Sequence, residues 1–134
     1  MSKKYRAAIV GCGGIGNSHV EGYNLVEGVE VVAVVDPHIA ARGQYMEDYG
    51  IPQGYATIEE MLEKAQPDIV SVCTWHLLHA PLTIAAARAG VKGIICEKPM
   101  TVSVGDANRM VEACEASGTK LVVSHQRRFT AGWE

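Results

Sequence analysis

The sequence predicts an α/β fold: a doubly wound, mostly parallel sheet of six strands with helices on both faces. Short β-branched runs alternate with stretches of helical periodicity, and no repeat or Ser/Pro-rich linker interrupts them. Parallel strands joined by right-handed crossovers in this way favour the strand order 3-2-1-4-5-6. The 134 residues suffice for one hydrophobic core, so we expect residues 1–134 to form a single domain.

Each strand is predicted from an apolar or β-branched run, and each helix from apolar residues that recur at the helical period. The expected strands are Tyr5–Val10, Val29–Val35, Gly54–Ala56, Asp68–Thr74, Gly93–Cys96 and Lys120–Ser124. The expected helices are Gly14–Val26, Ile39–Tyr49, Ile58–Ala65, Leu77–Ala89 and Val104–Ser117. The second strand is almost wholly apolar, which is typical of a strand covered on both faces.

Composition limits the compartment and the classes of partner. A formal net charge of −3 without a basic stripe argues against nucleic-acid binding. No apolar run approaches the ~18 residues that a membrane span needs. We therefore expect a soluble, cytoplasmic protein. The cysteines are scattered singly, without zinc spacing, so we expect reduced thiols that pack as small hydrophobes and no metal site: Cys12, Cys73, Cys96 and Cys114.

A glycine-rich loop follows the first strand and opens the first helix. Its sequence, GCGGIG at residues 11–16, has the G-x-G-x-x-G spacing of a Rossmann dinucleotide-binding loop. The first glycine permits a tight turn, the second lets the main chain approach a pyrophosphate, and the third allows close packing of helix on strand. The pyrophosphate would meet the helix N-terminus. A merely flexible turn is the alternative. The candidate cofactor-binding residues are Gly11, Gly13, Gly14, Ile15 and Gly16.

Asp36 ends the second strand, about 20 residues beyond the loop, where a carboxylate accepts hydrogen bonds from an adenosine ribose diol. A carboxylate there repels a 2′-phosphate, and the following Pro37-His38 offers no arginine to receive one. NAD is therefore favoured over NADP, with Arg42 as the reservation. Asp36 could also cap the helix Ile39–Tyr49, a role that would not exclude ribose binding.

Ligands of doubly wound sheets bind outside the carboxyl ends of the strands, here at the switch point between strands one and four. The residues expected at those ends include Gly11, Asp36, Thr74, Glu97, Lys98 and His125. Lys98 precedes Pro99 in a turn after strand five. A lysine in a desolvated site beside a nicotinamide ring could act as an acid or base. An exposed lysine on a turn is the alternative, and spacing alone does not separate the two.

Together these residues resemble the Gfo/Idh/MocA oxidoreductases, which include glucose-fructose oxidoreductase and inositol dehydrogenase. The Glu-Lys-Pro turn after strand five makes the resemblance specific. It covers essentially the whole chain and is carried by residues 11–16, Asp36, Tyr55–Leu62, Asp68–Val70, Thr74–His79, Ala89–Gly90, Glu97–Pro99 and Arg127–Phe129. The resemblance implies an NAD-dependent oxidoreductase that oxidises a sugar or polyol hydroxyl by hydride transfer to the nicotinamide.

The resemblance also implies roles for single residues. Glu97 would contact the nicotinamide ribose, and the Lys98–Pro99 bond would be cis. Lys98 would be the catalytic lysine and would also contact the cofactor. Thr74 and His79 would bind the cofactor after strand four, although a histidine there can instead bond to nearby backbone. Between them, Trp75-His76 replaces the proline and, commonly, asparagine of the family. Trp75 is interpreted either as a lid over the cofactor or as an anchor for a partner domain.

In the family, an acid and a histidine from a second, substrate-binding domain complete the site, and residues 1–134 carry no such domain. The chain ending at Glu134 would be an isolated domain, a fragment or one part of a split enzyme. We expect it to bind NAD with little or no turnover alone. Because the missing domain would cover apolar surface, we also expect self-association.

Two other functions compete with this interpretation. A non-enzymatic module that senses or binds the dinucleotide would share the loop and Asp36, but it has no need of an acid–base lysine such as Lys98. An S-adenosylmethionine methyltransferase also pairs a glycine loop with an acid after strand two. The absence of an acid just before Gly11 and the pyrophosphate spacing of the loop count against it.

Overall fold

Six parallel strands form one sheet with the order β3-β2-β1-β4-β5-β6 in the computed structural model, which describes residues 4–132. The predicted fold class and strand order are confirmed. The strands are β1 (Tyr5–Val10), β2 (Val29–Val35), β3 (Gln53–Tyr55), β4 (Ile69–Val72), β5 (Gly93–Glu97) and β6 (Lys120–Ser124). The helices are α1 (Gly14–Asn24), α2 (Ile39–Tyr49), α3 (Ile58–Ala65), α4 (His79–Arg88) and α5 (Val104–Ser117). The chain end at Glu134 lies outside the described residues.

Two hydrophobic layers cover the two faces of the sheet. On one face, helices α3, α4 and α5 bury side chains that include Met61 and Met110. On the other face, α1 and α2 bury Val20 and Tyr45. Because β2 lies between β1 and β3 and is covered on both faces, it is buried from Val31 to Val35, as its apolar sequence predicts.

Helix α1 ends at Asn24, two residues before the predicted end at Val26. The Leu25 N–H donates to the carbonyl of Gly22 at 3.2 Å. This bond reaches three residues back, where an α-helical bond reaches four, and it closes the last turn. Gly28 then adopts a φ of +82°, which turns the chain into β2. The apolar character of Leu25 and Val26 thus belongs to an exposed connection and does not extend the helix.

Strand β4 is shorter than the predicted Asp68–Thr74. The Asp68 carboxylate accepts a hydrogen bond from the Arg6 N–H at 3.0 Å and pairs with the Lys92 ammonium at 2.7 Å. Its main chain also bonds to Arg6 and Lys92, so Asp68 ties together the starts of three neighbouring strands just ahead of β4. At the other end, the Cys73 N–H still bonds to the Val10 carbonyl at 2.8 Å before the chain leaves the sheet.

The other boundary differences are small. A 3-10 turn at His76–Leu78 precedes α4, which begins at His79 instead of the predicted Leu77. In that turn the Leu78 N–H bonds to the Trp75 carbonyl at 2.9 Å. Strand β3 lies one residue earlier than predicted, and β5 continues one residue further, to Glu97.

Within residues 4–132, no helix combines the length and the apolar character needed to cross a bilayer.

The four cysteines are free thiols, and all but Cys12 are buried. Burial raises the pKa of Cys73, which also lies near the Glu97 carboxylate, and burial raises the pKa of Cys96 to about 11. Both thiols therefore stay protonated in the folded protein at pH values where an exposed thiol ionises.

We predict that the free energy of unfolding falls as the pH rises above about 9. The folded state keeps thiol protons that the unfolded state releases above its own lower pKa, so alkaline pH favours unfolding. Each fully buried thiol contributes on the order of 1 kcal/mol per pH unit in that range. Urea unfolding at pH 7.5, 9 and 10 under reducing conditions measures the slope.

The control is Cys73→Ala, which removes one of the thiols. Its stability should fall less steeply with pH than that of the wild type, whatever the substitution costs at pH 7.5. An identical slope in the two proteins would show that the Cys73 proton does not contribute.

Candidate functional site

The carboxyl ends of the strands border a cleft of about 490 Å³. Five of the predicted site residues line it: Gly11, Gly13, Asp36, Thr74 and Lys98. A second cavity of about 410 Å³ lies between α1 and strands β5 and β6, and two further predicted residues, Ile15 and Glu97, line that one. The glycine loop borders both cavities. The predicted residues are thus gathered at one edge of the sheet, on the two sides of the α1 N-terminus.

Gly11 and Gly16 are required by close packing of the loop. A Cβ at Gly11, whose φ is +102°, would lie 2.5 Å from the Cys73 carbonyl oxygen. A Cβ at Gly16 would lie 2.7 Å from the Gly11 carbonyl oxygen and 2.8 Å from the Tyr45 hydroxyl. Tyr45 also donates a hydrogen bond to the Gly13 carbonyl, which fixes the loop from below. These contacts leave no room for side chains on the inner surface of the loop.

The outer surface of the loop is bare. A Cβ at Gly13 or Gly14 would meet no atom within 4 Å. Gly13 is the N-cap of α1, no side chain caps the helix there, and the first turn carries no acidic residue. The helix therefore presents its first N–H groups and its positive dipole end unopposed, which is the arrangement that binds a phosphate group. The residues present fit a pyrophosphate.

The Asp36 carboxylate anchors the loop to the end of β2. One oxygen accepts the Cys12 N–H at 3.0 Å, and the other accepts the His38 N–H at 2.8 Å. The suggested capping role is wrong, because the N-cap of α2 is His38 and Asp36 bonds outside the helix. Arg42 donates to the Asp36 carbonyl oxygen at 2.6 Å, so this guanidinium is held at the main chain of the same corner.

Glu97 is buried, with its side chain 6% exposed, and a histidine holds it. Its Oε1 lies 2.8 Å from Nε2 of His19, and its Oε2 accepts the Lys98 N–H at 3.2 Å. The following Lys98–Pro99 bond is cis, as the resemblance implies. The side chains of Glu97 and Lys98 thus border different cavities although the two residues are adjacent in the chain.

His79 lies beneath the loop that follows β4. Its side chain is buried, and its ring nitrogens lie 2.8 Å from the Pro99 carbonyl oxygen and 3.0 Å from the Thr74 carbonyl oxygen. The structure thus places His79 against nearby backbone, the alternative considered for it, and a direct cofactor contact stays a prediction. His79 connects the turn after β5 to the loop after β4, while the Thr74 side chain remains at the cleft.

The sequence matches the oxidoreductase family with an NAD-binding Rossmann fold over residues 5–125. This match includes the glycine loop, Asp36 and the Glu-Lys-Pro turn, and it spans most of the chain. The chain belongs to this Gfo/Idh/MocA family. The resemblance drawn from the motifs is confirmed, and NAD is the cofactor that the family's description names.

Relatives of the chain include sugar and polyol dehydrogenases. It is 35% identical over 130 residues to D-apiose dehydrogenase of Paraburkholderia graminis, covering 95% of this chain and 34% of that protein. It is 34% identical over 132 residues to inositol 2-dehydrogenase of Salmonella typhimurium, covering 96% and 39%. The WlbA dehydrogenase of Bordetella pertussis, solved with NADH and UDP-GlcNAcA, superimposes with a TM-score of 0.91 at 30% identity, covering 96% and 39%. The chain thus spans somewhat over a third of their length.

Two features of this family member were not predicted. They are His19 and Tyr23, which lie three and seven residues after Gly16. This spacing places both side chains on one face of α1. The helical period of α1 was therefore the sequence signal that could have identified them. Trp75, by contrast, was predicted to be unusual, and it is 76% exposed beside the His76 ring at the cleft. Both roles considered for Trp75 are compatible with this position.

Within residues 4–132, no cluster of three His, Cys, Asp or Glu side chains could hold a metal.

We predict that Gly11→Ala and Gly13→Ala separate folding from cofactor binding in this family member. Gly11→Ala places a methyl group against the Cys73 carbonyl at a positive φ, so it should destabilise the protein by about 2–4 kcal/mol. Gly13→Ala meets open space at an ordinary φ of −98°, so it should cost only the roughly 1 kcal/mol by which glycine is preferred to alanine at an N-cap, while NAD affinity falls.

Urea unfolding and NAD titration of both variants measure these effects. Equal stability of Gly11→Ala and wild type would contradict the close approach of β1 and β4. Unchanged NAD affinity of a folded Gly13→Ala would contradict the placement of a ligand on the outer surface of the loop.

Proposed function

We propose that this chain is the cofactor-binding domain of an NAD-dependent oxidoreductase that oxidises a sugar or polyol hydroxyl. The observation that carries the proposal is the bare outer surface of the glycine loop beside the Asp36 carboxylate. A carboxylate has about four lone-pair sites, and two of those of Asp36 are used by main-chain N–H groups. The remaining sites are available to the two hydroxyls of a ribose.

The residues of the loop would bind the dinucleotide together. Gly11 and Gly16 shape the turn, and the exposed N–H groups at Gly13, Gly14 and Ile15 would hold the pyrophosphate. Asp36 would hold the adenosine ribose, while Glu97 and Thr74 would orient the second half of the molecule at β4 and β5. When bound, NAD supplies a nicotinamide ring that accepts a hydride. Because the loop borders both cavities, a molecule seated on it can reach each of them.

Lys98 would move the proton in the reaction. Its side chain borders the cleft, and among residues 4–132 its ammonium makes no ion pair. Once neutral, its Nζ could take the proton of the substrate hydroxyl. Trp75 and His76 border the same cleft and could exclude water from it, which would favour the neutral amine.

We infer that the sugar or polyol binds only where a second domain meets this one, because relatives of the chain are more than twice its length. Residues 1–134 would form the single cofactor domain of such an enzyme. Val26 and Val122, both more than half exposed, belong to apolar surface that another domain or a second copy would cover, so self-association of this chain is expected.

The same proposal assigns a compartment and excludes two classes of partner. The four unpaired thiols fit a reducing compartment, so we propose a cytoplasmic location. A net charge of −3 offers no basic surface for nucleic acid or for an anionic membrane, and we propose neither as a partner.

Calorimetric titration tests the cofactor assignment. NAD should bind more tightly than NADP, and Asp36→Asn should weaken NAD binding by about 5- to 100-fold, or roughly 1–3 kcal/mol, while reducing the preference over NADP. Glu30→Gln removes an exposed carboxylate at the other end of the same strand and should change neither affinity. Tighter binding of NADP than of NAD by the wild type would refute the assignment.

Lys98→Ala tests the reaction. In a polypeptide that carries both domains, turnover should fall by about 10²- to 10⁴-fold, and NAD affinity should stay within about threefold of the wild type because the lysine acts on the substrate. Lys98→Arg, which keeps the charge but stays protonated, should be equally inactive. Full turnover by Lys98→Ala would refute the role of Lys98, whereas no turnover by the wild type with any sugar or polyol would favour a dinucleotide-sensing module.

A further inference from the structure

We infer that His19 is a positioning residue for the nicotinamide half of the cofactor site, acting through Glu97 and the main chain of Lys98. The inference rests on the proposed function. It concerns a chain of three polar side chains, Tyr23, Ser71 and His19, that neither the motifs nor the proposed reaction uses and that ends on Glu97. These four residues come from helix α1, strand β4 and the end of β5.

The chain of hydrogen bonds is continuous from helix α1 to the turn after β5. The Tyr23 hydroxyl lies 2.8 Å from the Ser71 hydroxyl, which lies 3.0 Å from Nδ1 of His19. Nε2 of His19 lies 2.8 Å from Glu97, whose second oxygen accepts the Lys98 N–H at 3.2 Å. The side chains of His19 and Glu97 are only 9% and 6% exposed. Both oxygens of the Glu97 carboxylate are therefore bonded to protein groups that are largely shielded from solvent.

The hydrogen bonds can all run in one direction. Burial raises the pKa of Tyr23, so its hydroxyl stays protonated and can donate to Ser71. Ser71 can then donate to Nδ1 of His19, and the Nε2–H can donate to the Glu97 carboxylate. Each polar atom of the chain thus finds a partner with a neutral imidazole.

Stability alone does not account for this chain. Apolar side chains of similar volume would fill the same space at nearly equal or lower free energy, because buried hydrogen bonds only offset the hydration that their polar groups lose. The chain does fix the orientation of Glu97 and of the peptide that leads to Lys98. Groups that lock the geometry of a ligand-binding residue from behind are typical of preorganised sites.

The two halves of the dinucleotide provide a test of this role. Asp36 and the glycine loop serve the half that ADP also contains, whereas the end of β5 belongs to the half of the sheet that receives the nicotinamide nucleoside. A change transmitted through Glu97 should therefore affect NAD and spare ADP. A general loss of folding would affect both ligands together.

The experiment compares the wild type, His19→Leu and His19→Gln by calorimetry with NAD and with ADP, alongside thermal unfolding. His19→Leu should weaken NAD binding about tenfold or more, as expected for a lost hydrogen bond to a buried charge, and leave ADP binding within about twofold. His19→Gln keeps an N–H donor near the position of Nε2 and should restore most of the NAD affinity. His79 still holds the turn from its other side, through the Pro99 carbonyl.

Two results would overturn the inference: an equal loss for NAD and ADP in His19→Leu, or no loss for NAD. If His19→Leu does not fold, Ser71→Ala cuts the chain one step further back and should weaken NAD selectively by a smaller factor. Nitrogen NMR of His19 in the wild type gives a check without any variant, since Nε2 must carry a proton, and a bare Nε2 would overturn the inference. Failure of the wild type to bind NAD would instead contradict the proposed function.

Discussion

The close approach of β1 and β4 at their carboxyl ends is the constraint on which the rest of the site depends. At Gly11 the main chain passes so near the Cys73 carbonyl that even a methyl group would collide with it. Because β1 is bonded to β2 on one side and to β4 on the other, the chain leaves β1 toward one face of the sheet and leaves β4 toward the other. The cleft opens where these two connections diverge. The loop amides, Asp36 and Lys98 all take their positions from that divergence.

The Asp36 carboxylate supports the fold of the glycine loop and would also select the cofactor. The same group that would accept a ribose diol also accepts the N–H of Cys12 and thereby holds the glycine loop against β2. An arginine in place of this acid would suit a 2′-phosphate but could not accept that N–H. The support of the loop and the proposed preference for NAD therefore depend on the same side chain. Arg42, the reservation about this preference, uses one of its guanidinium nitrogens to hold the main-chain carbonyl of Asp36.

Local patterns predicted most of the fold and about half of the site. The strands and helices follow from periodicity, and the roles of the glycines follow from the turn that they must make. What local patterns missed is tertiary. The early end of α1 is closed by the Leu25–Gly22 bond ahead of a turn at Gly28, and the Asp68 carboxylate meets Arg6 and Lys92 from distant parts of the chain. His19 was missed because its partner, Glu97, lies 78 residues away in the chain and meets it only when β5 enters the sheet.

The contrast between Lys98 and its neighbours connects these parts. Glu97 is held by α1 through His19, and the Pro99 carbonyl is held beneath α4 by His79. The ammonium between them, within the described residues, has neither an ion pair nor a hydrogen bond of its own. An unpaired ammonium is ordinary for an exposed lysine on a turn, so the distinguishing feature of this turn is its main chain. Here the main chain is fixed from both sides and the charge is left available, which is the arrangement expected of a group that must meet a substrate in a defined position.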